Sequence, residues 1–143
     1  MTDCKKQVVP VLQGMKLSIN DNPKSPDEVE DMKWVPYVSF VGSLMYAIVS
    51  TRPNIAQAVG VLGRFMANPS KMHWDVVKRV IKYLKGMTQY TLCYQGNSTR
   101  SSRSITIQGY VDADWAGDVD RRKSTNGYVF TVNGGAISWM SKR

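Results

Sequence analysis

Val35 to Gly86 reads VPYVSFVGSLMYAIVSTRPNIAQAVGVLGRFMANPSKMHWDVVKRVIKYLKG, and the punctuation of this stretch decides the fold. Pro36, Pro53 and Pro69 cut it into three runs, each with its own helical pattern. Tyr37 to Val49 is apolar almost all round, with only Ser39, Gly42 and Ser43 small or polar, which predicts a core helix buried on most sides. Ser50-Thr51-Arg52-Pro53 marks the next start, and Ile55, Val59, Leu62, Phe65 and Met66 then share one face of a second helix running to about Ala67. Gly60 and Gly63 each cost about 1 kcal/mol against alanine within a helix, so they read as points of close approach to a neighbouring helix. Asn68-Pro69 breaks the run and Ser70 caps a third helix, which Gly86 is placed to end. Its inner stripe is Trp74, Val77, Val80, Ile81 and Leu84, while Lys71, Lys78, Lys82 and Lys85 recur on the outside.

Upstream, the first 24 residues mix Pro10, Gly14, Asn20, Asn22 and Pro23 with short apolar runs, which predicts an irregular arm with one extended piece, Val8 to Leu12. Ser25-Pro26-Asp27-Glu28 then combines a serine cap, a proline at the first helical position and a glutamate three residues after the cap, so a short helix starts there and stops at Pro36. Downstream, Thr91 to Tyr94 is a short strand candidate and Gln95 to Ser104, QGNSTRSSRS, is an exposed polar connection. Ile105–Val111, Gly127–Val132 and Ala136–Met140 alternate as three strands, with Asn133-Gly134-Gly135 as a hairpin turn. The fold class is therefore α+β. Residues 1–35 form an irregular arm with a short helix, 36–94 a helical bundle, 95–104 a polar linker and 105–143 a β-meander. With no helix to cover that meander one of its faces stays open, and the C-terminal part reads as an unfinished domain.

The 143 residues are 43% hydrophobic and 21% charged, a composition of folded chains that excludes a disordered tail and leaves room for one modest core. The longest apolar stretch falls short of the ~20 residues that span a bilayer, and the N-terminus lacks the apolar segment of a secretory signal. An intracellular location, cytoplasm or nucleus, is expected. Cys4 and Cys93 have no metal-ligand spacing, and such a compartment would keep both reduced.

The net charge of +8 is unevenly spread. Residues 64–103 carry eight Lys/Arg against one Asp, and Phe65, Trp74, Tyr83, Tyr90 and Tyr94 are interleaved among them. That is the footprint of a surface lying against phosphates, and Lys71, Lys78, Arg79, Lys82 and Lys85 are its candidate contacts. The plain alternative is a solvated helix face. The aromatics of the third helix read as core rather than as platforms for bases.

A second cluster is acidic. Asp112, Asp114, Asp118 and Asp120 fall within YVDADWAGDVD, at a strand end and in the loop after it. Carboxylates so placed can hold a hard divalent cation such as Mg2+. An EF-hand reading fails, because Ala116 and Lys123 stand where ligands are needed and strands flank the segment. The structural alternative is a polar turn whose aspartates face water and pair with Arg121, Arg122 and Lys123. His73 has no ligand partner nearby and reads as a capping or surface residue.

Taken together, the 35–86 stretch resembles the segment of copia-type LTR retrotransposon Pol polyproteins that follows the polymerase palm. GYVDADWAGDVDRRKSTNGYVFTVNGGAISWMSK, Gly109 to Lys142, is similar to the opening of the ribonuclease H domain of the same polyproteins. The resemblance implies that residues 36–86 correspond to the helical thumb of a reverse transcriptase, gripping primer and template. It implies that Asp112 is the first metal-binding carboxylate of the ribonuclease H site, with Asp114 beside it, and that Mg2+ is the family's cofactor. It also implies what is missing. The paired polymerase aspartates lie upstream in the family, and the remaining ribonuclease H carboxylates lie beyond Arg143, so the chain reads as cut at both ends and catalytically inactive alone. Asn54 and Asn126 depart from the family's usual Asp and Ser without touching this chemistry.

The expectation is thus a Pol fragment, thumb-like region plus partial ribonuclease H, that binds an RNA:DNA hybrid or primer-template through its basic helix. Two other readings are carried with it. The chain could regain hydrolysis by assembling with another Pol-derived polypeptide that supplies the missing carboxylates, or it could be a protein-docking module or a relic without function.

Overall fold

The computed structural model describes residues 7–12, 14–94 and 105–143. Cys4 and the linker expected at 95–104 lie outside the described residues. Four helices precede a three-stranded antiparallel sheet: α1 (Pro26–Lys33), α2 (Tyr37–Ser50), α3 (Ala56–Leu62), α4 (Lys71–Gly86), β1 (Ile107–Asp114), β2 (Thr125–Val132) and β3 (Gly135–Lys142). The expected mixed α+β class is what the chain adopts.

Local chemistry accounts for most boundaries. Ser25 Oγ accepts the Glu28 N–H at 3.2 Å while Glu28 Oε2 accepts the Lys24 and Ser25 N–H groups, a reciprocal cap that starts α1 at Pro26. A second serine cap, Ser18, starts a 3-10 turn at Ile19–Asp21 that the sequence reading lacks. Around α3 the second predicted helix is built in three pieces, with 3-10 turns at Pro53–Ile55 and Gly63–Phe65 on either side. One strand candidate does not form: Thr91–Tyr94 carries no strand pairing, and the arm piece Val8–Leu12 runs as bends without pairing. Tyr94 instead donates its hydroxyl to Ala136 O at 2.7 Å, so the chain after α4 lies against the β2–β3 hairpin as a side-chain prop.

The core sits among α2, α3 and α4. Tyr37, Val41 and Leu44 of α2 pack with Ile55, Ala58, Val59, Leu62 and Phe65, and with Val76, Val77 and Val80 of α4. Tyr37 is fully buried and donates its hydroxyl to Leu62 O at 2.8 Å, which offsets the cost of burying it. The expectation that α2 is buried on most sides is corrected. Its far face carries Val38, Tyr46 and Val49 at 51%, 76% and 77% exposure, because the elements packed against α2, chiefly α3 and α4, take one face. The two glycines read as close-approach points divide in the same way. A Cβ at Gly63 would stand 2.7 Å from Met45 Cε, whereas Gly60 is exposed and a Cβ there meets nothing within 4 Å. Gly42, mid-way along α2, is equally open, although glycine costs about 1 kcal/mol against alanine there.

The sheet is a meander in the order β1-β2-β3. Asn133 and Gly134 both take positive φ, 47° and 85°, the geometry of a two-residue turn joining twisted strands. In register, Tyr110 faces Val129 and Val129 faces Trp139, while Asp112 faces Gly127. The face carrying Trp139 meets the helices, where Trp139 Nε1 donates to Ile48 O at 2.9 Å. The other face, with Ile107, Val111, Phe130 and Met140, is open as the sequence implies. β1 is exposed at all its residues.

Candidate nucleic-acid interface and acidic loop

Helical geometry decides which cations of α4 can act together. At 100° per residue, Lys71, Lys78, Lys82 and Lys85 fall within an arc of about 60°, opposite the buried Val76, Val77 and Val80. Arg79 lies off this arc. Its Nε is buried without a hydrogen-bond partner among the described residues, and it lines a hollow of about 380 Å³ with Gln7, Leu12 and Met15 of the arm. Lys78 is paired with Asp75 Oδ1 at 2.5 Å across one turn, a half-exposed pair of the kind that contributes well under 1 kcal/mol. Lys71 and Lys82 have no acidic partner among the described residues. The stripe therefore sets one exposed and three partly exposed lysines along several turns, which is the geometry for sequential phosphates.

The α4 aromatics expected to belong to the core pack against it and are partly buried. Trp74 sets its ring edge-on to Phe40 at 5.3 Å, and Tyr83 takes a hydrogen bond from Asn54 Nδ2 at 2.8 Å. Tyr90 and Tyr94 stay exposed. His73 caps, as expected, but it is not on the surface. Its Nδ1 accepts the Ser70 N–H at 2.9 Å, its ring stacks on Phe65 at 4.0 Å, and it is 0% exposed. Burial pushes its pKa down, only partly opposed by Asp21, and Arg64 adds to the fall.

The four aspartates separate into two pairs with different environments. Asp112 and Asp114, two apart on β1, share the sheet face that looks onto a cleft of about 310 Å³ between sheet and helices, with Asn54 and Gln57 on its far wall. Both are exposed. Gly117 lies so close to the Asp114 carboxylate that a Cβ would collide with it. Among the described residues no third His, Cys, Asp or Glu joins them in a group able to hold a metal ion. Two exposed carboxylates on one strand do not fit a two-metal hydrolytic centre, and no hydrolytic step follows from them.

Asp118 and Asp120 correct the expectation of water-facing turn residues. Asp118 is 1% exposed and pairs with Arg64 Nη1 at 3.2 Å and with Arg143 Nη1, and it accepts the Asp120 and Arg121 N–H groups at 3.0 and 3.3 Å. Asp120 accepts the Ser18 hydroxyl at 2.7 Å and the Ile19 N–H at 3.0 Å. Burial alone would raise the Asp118 pKa; the hydrogen bonds from Arg121, Arg143 and Asp120 and the nearby Arg64 charge outweigh it and hold the carboxyl below its ordinary range. This pair is a latch that joins arm, α3 end, loop and sheet. Sequence reasoning missed its partners Ser18, Arg64 and Arg143, and no local spacing signals them.

Among the described residues no single helix is long and apolar enough to cross a membrane. No protein-family model matches the chain, and no solved structure does. The chain is 49% identical over 142 residues, 99% of its length, to the retrovirus-related Pol polyprotein from transposon TNT 1-94 of Nicotiana tabacum, covering 10% of that protein. It is 36% identical over 143 residues to the Pol polyprotein from transposon RE2 of Arabidopsis thaliana, covering 9% of it. It is also 50% identical over 112 residues to the secreted RxLR effector protein 161 of Plasmopara viticola, covering 78% of this chain and 75% of that protein. The chain thus spans about a tenth of the Pol polyproteins it matches.

Proposed function

The chain belongs to the retrovirus-related Pol polyproteins of copia-type transposons, corresponding to a segment of them, and from that premise we propose that it binds RNA:DNA hybrid or primer-template through α4. The observation that carries this reading is the single stripe of Lys71, Lys78, Lys82 and Lys85, set opposite the buried valines and lying in the most basic block of the chain. Residues 36–86 then serve as a thumb-like grip, and β1–β3 as the opening of a ribonuclease H-like sheet with Asp112 as its first carboxylate and Asp114 beside it. Mg2+ would be the ion of that site when further carboxylates are supplied by another Pol-derived polypeptide. In this chain alone those two residues do no more than place negative charge at the cleft, so binding without cleavage is the proposed activity.

Contacts to phosphate release condensed counterions, so affinity falls with salt as a power set by the number of lysines engaged. Titrating a labelled RNA:DNA hybrid at several salt concentrations gives a slope of log K against log salt of about −3.5 if all four lysines of the stripe are engaged. A slope near zero, or no binding at low salt, contradicts the proposal.

A further inference from the structure

Arg79 is the cation of α4 that stands apart from the lysine stripe, about 60° round the helix from Lys82. On that side lies the hollow of about 380 Å³, lined by Lys78, Arg79 and Lys82 of α4 and by Gln7, Leu12 and Met15 of the arm. Arg79 is partly buried, its Nε is shut off from solvent without an acceptor, and it takes part in no ion pair among the described residues. A guanidinium keeps its charge and its five N–H donors wherever it is placed, so burying part of it without an anion costs free energy that a packed apolar side chain would not. Leucine or methionine would serve the helix equally well at that position. The arginine is accounted for by something that brings negative charge to it.

We infer that the hollow receives a phosphate monoester, the terminal phosphate of a nucleic-acid strand whose backbone lies along the stripe. Charge is the first ground. Asp75 pairs with Lys78 at 2.5 Å, which leaves Arg79 and Lys82, three residues apart and so neighbours on the helix surface, as cations without an acidic partner among the described residues. A phosphate monoester carries about −1.5 to −2 at neutral pH and matches that pair, whereas a diester within a strand carries a single charge. Shape is the second. The planar fork of arginine takes two phosphate oxygens at once, and Leu12, Met15, Met72 and Val76 give the hollow apolar walls that strengthen such a contact by excluding water. Continuity is the third. Lys78 and Lys82 belong to the stripe and to the hollow alike, so a strand following the stripe reaches Arg79 where the arm forms the rest of the wall, and a strand end fits there better than an uninterrupted backbone. This assignment rests on α4 being a nucleic-acid grip, and the two parts of the test separate them.

The full chain is first unfolded thermally in inorganic phosphate and in chloride of equal ionic strength. Phosphate is expected to raise the wild-type midpoint and to leave that of Arg79→Met unmoved, since a ligand stabilises the state that holds it. In chloride, Arg79→Met is expected to unfold at the wild-type midpoint or above it, because the variant buries no unpaired charge. A midpoint clearly below the wild type's gives Arg79 a structural role and overturns the inference; so does phosphate acting equally on both proteins, or on neither. Fluorescence anisotropy then compares one RNA:DNA hybrid carrying phosphate or hydroxyl at its strand ends. Terminal phosphate is expected to tighten wild-type binding by roughly tenfold, the worth of a charge-assisted bidentate contact. Arg79→Met is expected to bind the two hybrids alike, and Arg79→Lys, which keeps the charge and loses the fork, to retain only part of the difference. Equal wild-type affinities for the two hybrids overturn the strand-end assignment, and with a midpoint still raised by phosphate they assign the hollow to the free ion. Binding of the phosphate-ended hybrid alone supports the end contact and contradicts the stripe, while binding of neither overturns both.

Discussion

Arg64 Nη1 lies 3.2 Å from Asp118 Oδ1, so the end of α3 is held to the loop between β1 and β2 by a carboxylate that is almost wholly buried. The pair is long-range in sequence and central in space. It makes the attachment of the sheet to the helices an electrostatic matter as well as an apolar one, since every residue of β1 is exposed.

Removing one partner of such a pair leaves the other charge uncompensated, which costs more than the pair was worth. Arg64 is partly solvated, so Arg64→Ala is expected to lower the unfolding free energy by about 2 kcal/mol, below the range for fully buried pairs. Arg121→Ala, at an exposed side chain, should change it by no more than about 0.5 kcal/mol. Urea unfolding of the two variants measures both.

Acid should loosen the latch. The Asp118 pKa is lowered in the folded chain, so its contribution is complete above the unfolded value of about 4 and is lost as pH falls through the folded one. His73 acts in a separate window. Its folded pKa is also lowered, so the neutral ring favours folding above about pH 6.5, and that contribution declines as pH falls below it. His73 is the chain's one histidine, so the slope of stability between about pH 5 and 7 reports it. Unfolding midpoints across that range should fall with acid in the wild type and stay level in His73→Asn; a level wild type would mean that the ring is accessible to protons when folded.

Trp139 tests the helix–sheet contact from the other side. Trp139→Phe keeps the ring against the helices but deletes the indole N–H that reaches Ile48 O, and it should cost about 1 kcal/mol or somewhat more, since the carbonyl is left without that donor. Comparison of thermal or urea midpoints with the wild type gives the value.

How much of this was legible in the sequence depends on the range of each interaction. The Ser25 and Ser70 caps, the Asn133-Gly134 turn and the separation of the four helices rest on residues within four positions of one another, and those rules carried over. The face of α2 did not, because a helix apolar all round carries no period to say which side its neighbours take. Nor did the roles of Asp118 and Asp120, which spacing assigns to a solvated turn and the fold assigns to Arg64, Arg143 and Ser18, the last of these 102 residues away. Burial of His73 was hidden for a related reason, since the Ser70 spacing reveals its cap but not the Phe65 ring stacked on it. Thr91–Tyr94 has the composition of a strand and lacks a partner to pair with. The lysine stripe, by contrast, was readable from the recurrence of Lys71, Lys78, Lys82 and Lys85, and the helix places the four side by side.

The loop also stores strain that can be removed. Ala116 takes φ 50°, a left-handed conformation that costs a non-glycine residue about 1 kcal/mol. Ala116→Gly is expected to stabilise the chain by a few tenths of a kcal/mol, because relief of the strain is partly offset by the greater freedom of glycine when unfolded. A lowered melting temperature would show that the Ala116 methyl has a packing role.

The central claim is that α4 grips nucleic acid, and charge reversal on its stripe tests it most directly. Lys71 and Lys82 have no acidic partner among the described residues, so Lys71→Glu with Lys82→Glu should leave the unfolding midpoint nearly unchanged. Fluorescence anisotropy with a labelled RNA:DNA hybrid at low salt should then show affinity reduced by on the order of tenfold or more relative to the wild type. Equal affinities for the two proteins would contradict the account and assign any binding to another surface.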